Sequence, residues 1–209
     1  MKSVNSKNVY LTVITLIVWF SLSLQFSLSL RHYNGAVWPT LKILLSFFTV
    51  LTNLIVAICL AAQLLLKQTA LVRFFSKPAS QTAVAVYIFL VALVYNVALR
   101  GLDQPKGWHS LSNELLHVIN PLLFLIYWIA FVDKARLSYK QTTVWLIYPL
   151  LYVIFIVIRG YLIGQYPYPF INVVEIGYPK AILNTIIILV VFWILSLIFV
   201  FTGKKTTKS

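Results

Sequence analysis

Apolar residues in this chain come in long unbroken runs rather than in alternation, and the runs set the architecture. Six stand out, at about 9–30, 43–66, 82–99, 111–131, 143–164 and 181–202. Each exceeds the roughly 17 residues that a helix needs to cross the hydrocarbon layer. Barrel strands are excluded, because they run to about 10 residues and alternate strictly. The first run follows Lys2 and Lys7 as a signal peptide would. It outlasts an h-region of about 7–15 residues, however, and no small-residue cleavage site follows, so it reads as a first transmembrane helix. Its repeated Ser-Leu-Ser-Leu (21–24 and 27–30) fits a helix whose hydroxyls bond the preceding turn. The pattern predicts an all-α polytopic integral membrane protein, a single domain over 1–209 with six transmembrane helices. There is no convincing internal repeat and no domain linker. The longest connection, about 165–180, carries Tyr166-Pro167-Tyr168-Pro169-Phe170, stiffened by its prolines.

Composition agrees, and charge orients the helices. The chain is 61% hydrophobic and 10% charged, where a soluble domain has about 25% charged. A net charge of +13 raises the question of nucleic acid, but its cations lie in short segments between the apolar runs rather than on one soluble face, so no nucleic-acid partner is expected. Lys2, Lys7, Lys67, Arg73, Lys77, Lys134, Arg136, Lys140, Lys204, Lys205 and Lys208 fall on one side. Arg31, Lys42, Arg100, Lys106, Arg159 and Lys180 fall on the other. The richer side is cytoplasmic by the positive-inside rule and holds both termini. Trp38, Trp108, Tyr166, Tyr168 and Tyr178 mark the outer interface, and Trp128, Tyr139 and Trp145 the inner one. The single cysteine, Cys59, lies inside an apolar run and reads as a packed small hydrophobe.

Candidate chemistry centres on Asn113-Glu114-Leu115-Leu116-His117-Val118-Ile119-Asn120-Pro121. Glu114, His117 and Asn120 follow one side of an α-helix, and Pro121, lacking an N–H, frees the carbonyl of His117. Ionisable groups at membrane depth are costly and face a cavity, a bundle interior or a partner. Thr49 lies six residues past Ile43 and His117 six past Leu111, so both sit ~9 Å below the outer boundary at 1.5 Å per residue. Asn53 is one turn below Thr49; Asn96, Arg100, Arg159 and Asn184 join the same outer half, while the inner half offers little beyond Gln63. A pocket near the extracytoplasmic face is expected. Each residue also has a plainer role. Thr49 and Thr52 suit backbone bonding, Asn53, Asn96 and Asn120 interhelical contacts, and Gly160-x-x-x-Gly164 helix packing. Arg100 and Arg159 suit snorkelling to the headgroups.

What the sequence lacks narrows the chemistry. There is no GxSxG elbow, and no HExxH, P-loop or GxGxxG. Four acidic residues, Asp103, Glu114, Asp133 and Glu175, make a carboxylate-rich metal site improbable. No cofactor or metal is implied. A hydroxyl and an imidazole at matched depth remain, the minimal pair for covalent acyl transfer. The alternative is a non-enzymatic binder of lipids or small molecules, or a permease, using the same polar cluster.

Several fragments, in order, carry a family resemblance. Ser46 to Leu54, Glu114-Leu115-Leu116-His117 with Pro121 and Trp128, Tyr148-Pro149 through Arg159-Gly160, and Tyr166 to Phe170 resemble the prokaryotic six-helix (Pr-six-Pr) membrane proteins. That family is similar to the eukaryotic androgen-induced, FAR/AIG-type proteins. The resemblance spans about 40–180. It implies intramembrane hydrolysis of fatty acyl esters by a Thr nucleophile and a His, which fall on Thr49 and His117, with Thr52 the neighbouring alternative. Asn53, Glu114, Asn120, Asn96, Arg100 and Arg159 are the supporting candidates. It also implies a bacterial inner-membrane location, with membrane lipids as partners and a fatty acid ester as substrate. The oligomeric state is left open.

Overall fold

The computed structural model describes residues 6–64 and 69–206. Lys2, Lys67, Lys208 and the end of the second expected span (65–66) lie outside them. Among the described residues the structure is helical, with no strand. Five helices are long and apolar enough to cross a membrane: Ser6–His32, Pro78–Leu99, Trp108–Phe131, Gln141–Ile163 and Val173–Thr206. A bent pair, Val37–Leu44 with Phe48–Leu64, makes a sixth if it is one span. The chain divides into two compact units, Met1–Asp133 and Lys134–Ser209.

In the first unit, α1 (Ser6–His32), α3 (Phe48–Leu64), α5 (Pro78–Val94) and α7 (Asn120–Phe131) form a closed ring, each packed on the next and α7 on α1. Ile14, Val18, Val56, Cys59, Leu60, Ile88, Phe124 and Tyr127 fill its interior. The serines of α1 are helical as expected. Ser21 Oγ donates to Ile17 O (2.7 Å) and Ser27 Oγ to Ser23 O (2.8 Å).

The structure corrects the second expected helix. Instead of running from 43, the chain forms α2 (Val37–Leu44), breaks at 45–47, and starts α3 at Phe48 after a 93° bend. At the break Ser46 Oγ donates back to Lys42 O (2.7 Å), the local bonding by which serine competes with a regular helix. Other ends shift by a few residues. α5 begins at Pro78, which suits a first helical position because it needs no N–H there. The fourth span begins at Trp108.

The third and fourth spans, which carry Asn96 and His117, widen into π turns, Tyr95–Leu99 after α5 and Leu115–Ile119 between α6 (Trp108–Glu114) and α7. The sequence predicts neither.

The other end of this unit is more polar than the sequence suggests. Beside Gln63, which donates to Phe75 O (2.8 Å), Gln81 donates to the same carbonyl (2.9 Å) and accepts from Tyr127 Oη (3.1 Å). Trp128 Nε1 donates to Thr82 Oγ1 (2.9 Å). The two glutamine bonds to Phe75 O hold the end of the short helix α4 (Ala70–Phe75), itself capped by Thr69.

The second unit contains α8 (Gln141–Trp145), α9 (Ile147–Ile163), a 3₁₀ turn (Pro169–Ile171) and α10 (Val173–Thr206). α10 is kinked at Gly177 (φ 75°), two residues before Pro179, so part of the expected 165–180 connection is helical. The Gly160-x-x-x-Gly164 pair does not pack two helices. Gly160 lies against the ring of Tyr166, and Gly164 (φ 67°) ends α9 in the left-handed conformation that a residue with a side chain adopts only with strain.

Candidate functional site

The site is built where α3 begins and where the two π turns face it. Thr49 is the second residue of α3, at the positive end of that helix's dipole, and is 7% exposed. Its Oγ1 lies 3.3 Å from Nε2 of His117. Counting depth from Ile43 no longer applies, because the bend intervenes, but the hydroxyl and the imidazole do meet. Thr52 is fully buried one turn further on.

The other ring nitrogen of His117 defines the tautomer. Nδ1 lies 2.9 Å from the carbonyl oxygen of Asn113. A carbonyl only accepts, so in the neutral imidazole Nδ1 carries the hydrogen and Nε2 presents its lone pair to Thr49. The ring is also stacked on Tyr95, centroids 4.2 Å apart at 22°. Asn113 Nδ2 donates to the Tyr95 hydroxyl. Neither Tyr95 nor the carbonyl of Asn113 is singled out by the sequence: an aromatic in an apolar run reads as packing, and a backbone oxygen has no residue signature.

Asn53 and Asn120 do something different from Thr49 and His117. The π turn makes Asn120 N–H bond to Leu115 O, five residues back. In that register the donor for Leu116 O would be Pro121, which has none. Asn53 Nδ2 donates to that oxygen instead (3.1 Å) and to Thr49 O (2.9 Å). The freed acceptor that finds this partner is thus Leu116 O, not the His117 carbonyl expected from α-helical counting. Asn120 Nδ2 donates to Asn53 Oδ1 (2.9 Å), and the Ser21 hydroxyl, whose one hydrogen is shared with Ile17 O, lies 3.3 Å from Asn120 Oδ1. All three side chains are fully buried, and the string ties α1, α3 and α7 together.

Glu114 does not orient His117. It pairs with Arg100 (Nη2 to Oε2, 2.9 Å), with side chains 45% and 37% exposed. Arg100 Nε donates to Asn96 Oδ1 (2.8 Å), and the guanidinium lies over the Tyr95 ring (5.1 Å). Glu114 holds this arginine still more firmly protonated than usual. Arg159 and Asn184 belong to the second unit, where each donates to a nearby carbonyl, Gln165 O (3.0 Å) and Phe170 O (2.9 Å). Among the described residues no group of three or more His, Cys, Asp or Glu side chains is placed to hold a metal ion.

No protein-family model, curated protein or solved structure matches the chain.

Proposed function

We propose that this protein is an intramembrane hydrolase of fatty acyl esters, with Thr49 as nucleophile and His117 as its base. One observation carries the reading: Thr49 Oγ1 lies 3.3 Å from Nε2 while Nδ1 faces a carbonyl. This is the arrangement of a nucleophile, a base and a group that orients the base. The resemblance to the Pr-six-Pr and FAR/AIG-type proteins supports the same assignment.

In this mechanism Thr49 Oγ bonds to the ester carbonyl carbon as its proton passes to Nε2, and the carbonyl π pair moves to oxygen. Collapse of the tetrahedral intermediate breaks the ester C–O bond. The alcohol leaves with the proton from Nε2. Water then repeats the sequence on the acyl-threonine, releasing the fatty acid and restoring the hydroxyl. Both N–H groups of Asn53 are engaged, so it is not the oxyanion donor. The positive end of α3 offers stabilisation where negative charge develops.

The membrane reading is six spans, the bent pair counting as one, with both termini in the cytoplasm of a bacterial cell. The cation bias supports it.

A long-chain alkyl fluorophosphonate, which traps activated hydroxyls, tests the assignment on the detergent-purified protein. Peptide mass spectrometry is expected to find the adduct on Thr49 and to lose it in His117→Ala. An adduct on Thr52, or none at all, counts against it.

A further inference from the structure

Tyr95, at the start of one π turn, and Asn113, in α6 just before the other, meet around one imidazole, and nothing in the hydrolysis chemistry above uses either side chain. The contacts close a loop. His117 Nδ1–H donates to the Asn113 carbonyl (2.9 Å), the Asn113 carboxamide donates to the Tyr95 hydroxyl, and the Tyr95 ring returns to stack on His117 (4.2 Å, 22°). Asn113 and His117 are one turn apart on the same span, while Tyr95 comes from the span before it.

We infer that Tyr95 is a positioning residue, which with Asn113 clamps the His117 ring in the Nδ1–H tautomer with Nε2 aimed at Thr49. The inference deepens the hydrolase reading and rests on it for its kinetic consequences.

Each contact has a separate job. An imidazole with only its Nδ1–H bond to Asn113 O retains freedom to swing about that bond, because one hydrogen bond fixes a point and not a plane. The stacked phenol supplies the plane. Stacking alone leaves sliding and in-plane rotation, which the carbonyl removes. The carboxamide of Asn113 ties the two restraints to each other, so the ring cannot lose one while keeping the other in place. Tyr95 and His117 both lie in π turns, which cluster at functional sites. Arg100, held by Asn96 and Glu114, lies over the Tyr95 ring and braces the tyrosine from the rim. With the base oriented this way, Nε2 meets the Thr49 hydroxyl without a search, and misplacement by about 1 Å costs about 10²-fold in rate.

The test uses the full chain in detergent or nanodiscs with Tyr95→Leu, Tyr95→Phe and Asn113→Ala. Imidazole nitrogen NMR reads the tautomer of His117, and acyl-ester kinetics read its consequence. Tyr95→Leu is expected to mix the two tautomers and to lower kcat at least about tenfold with KM unchanged. Tyr95→Phe, which keeps the stack, is expected to retain the Nδ1–H tautomer and lose about threefold or less in kcat, and Asn113→Ala to resemble it. A single Nδ1–H tautomer and wild-type kcat in folded Tyr95→Leu overturn the clamp. If Tyr95→Leu does not fold, Tyr95→Met, which also removes the flat ring, takes its place with the same two outcomes. The NMR readout needs no turnover, so a wild type that hydrolyses no ester defeats the hydrolase reading while the tautomer measurement still judges the clamp.

Discussion

Asn53 reaches across from α3 to fill the hydrogen-bond vacancy that Pro121 creates at Leu116, 3.1 Å from its carbonyl oxygen. The proline and the asparagine therefore form one device, although 68 residues separate them in sequence. Pro121 removes a donor, the π turn passes the deficit to Leu116, and Asn53 makes it good while also holding Thr49 O and accepting from Asn120.

This device makes a stability prediction. Asn53→Leu leaves Leu116 O and Asn120 Nδ2 without their present partners and is expected to cost about 1–3 kcal/mol. Restoring the missing N–H with Pro121→Ala is expected to shrink that loss, so the pair is non-additive in a double-mutant cycle. Unfolding monitored in mixed micelles measures all four species; strict additivity would separate the two residues.

The Arg100–Glu114 pair is exposed, and exposed pairs contribute little to stability. Glu114→Gln is accordingly expected to leave the thermal midpoint unchanged. It is also expected to leave the His117 tautomer unchanged, because Asn113 O and not Glu114 meets Nδ1. Loss of the Nδ1–H signal in that variant would reassign the orienting role.

In the second unit, a methyl group on residue 160 would run into the Tyr166 ring. Gly160→Ala is expected to destabilise by about 1–3 kcal/mol, the usual range for overpacking. Adding Tyr166→Ala is expected to relieve that clash, so the double variant loses less than the two single losses combined. Thermal unfolding of the four proteins checks it.

Membrane orientation has a convenient readout, because the one native cysteine, Cys59, is fully buried and gives no background. Cysteines introduced at Gln104 and Ser76, both exposed, are expected to react from opposite sides of the membrane. A membrane-impermeant maleimide added to intact cells should label Gln104→Cys and spare Ser76→Cys. The reverse pattern inverts the proposed topology.

The long apolar helices were legible because run length alone reports a span, and the cluster of Thr49, Asn53, His117 and Asn120 was legible because polar residues in such runs are conspicuous. What stayed hidden has a common cause. The bend before Phe48 has no glycine or proline between Thr40 and Asn53 to announce it, and depends on how Ser46 and its neighbours pair in three dimensions. The π turns arise from hydrogen-bond register, which residue periodicity does not encode. Arithmetic from Ile43 and Leu111 matched two depths, yet the structure moves both starting points, to Phe48 and Trp108. Tyr95 was concealed by its surroundings, and Asn113 acts on His117 through a backbone atom that every residue possesses. Glu114 was conspicuous and is engaged elsewhere, with Arg100.

The most direct measurement is hydrolysis of a long-chain acyl ester by the purified protein beside Thr49→Ala, His117→Ala and the double variant, each shown to be folded. If the two residues act as one unit, either single change lowers kcat by at least about 10²-fold and the double variant is scarcely worse than the singles. An inert wild type, or single variants that turn over as fast as it does, would contradict the account.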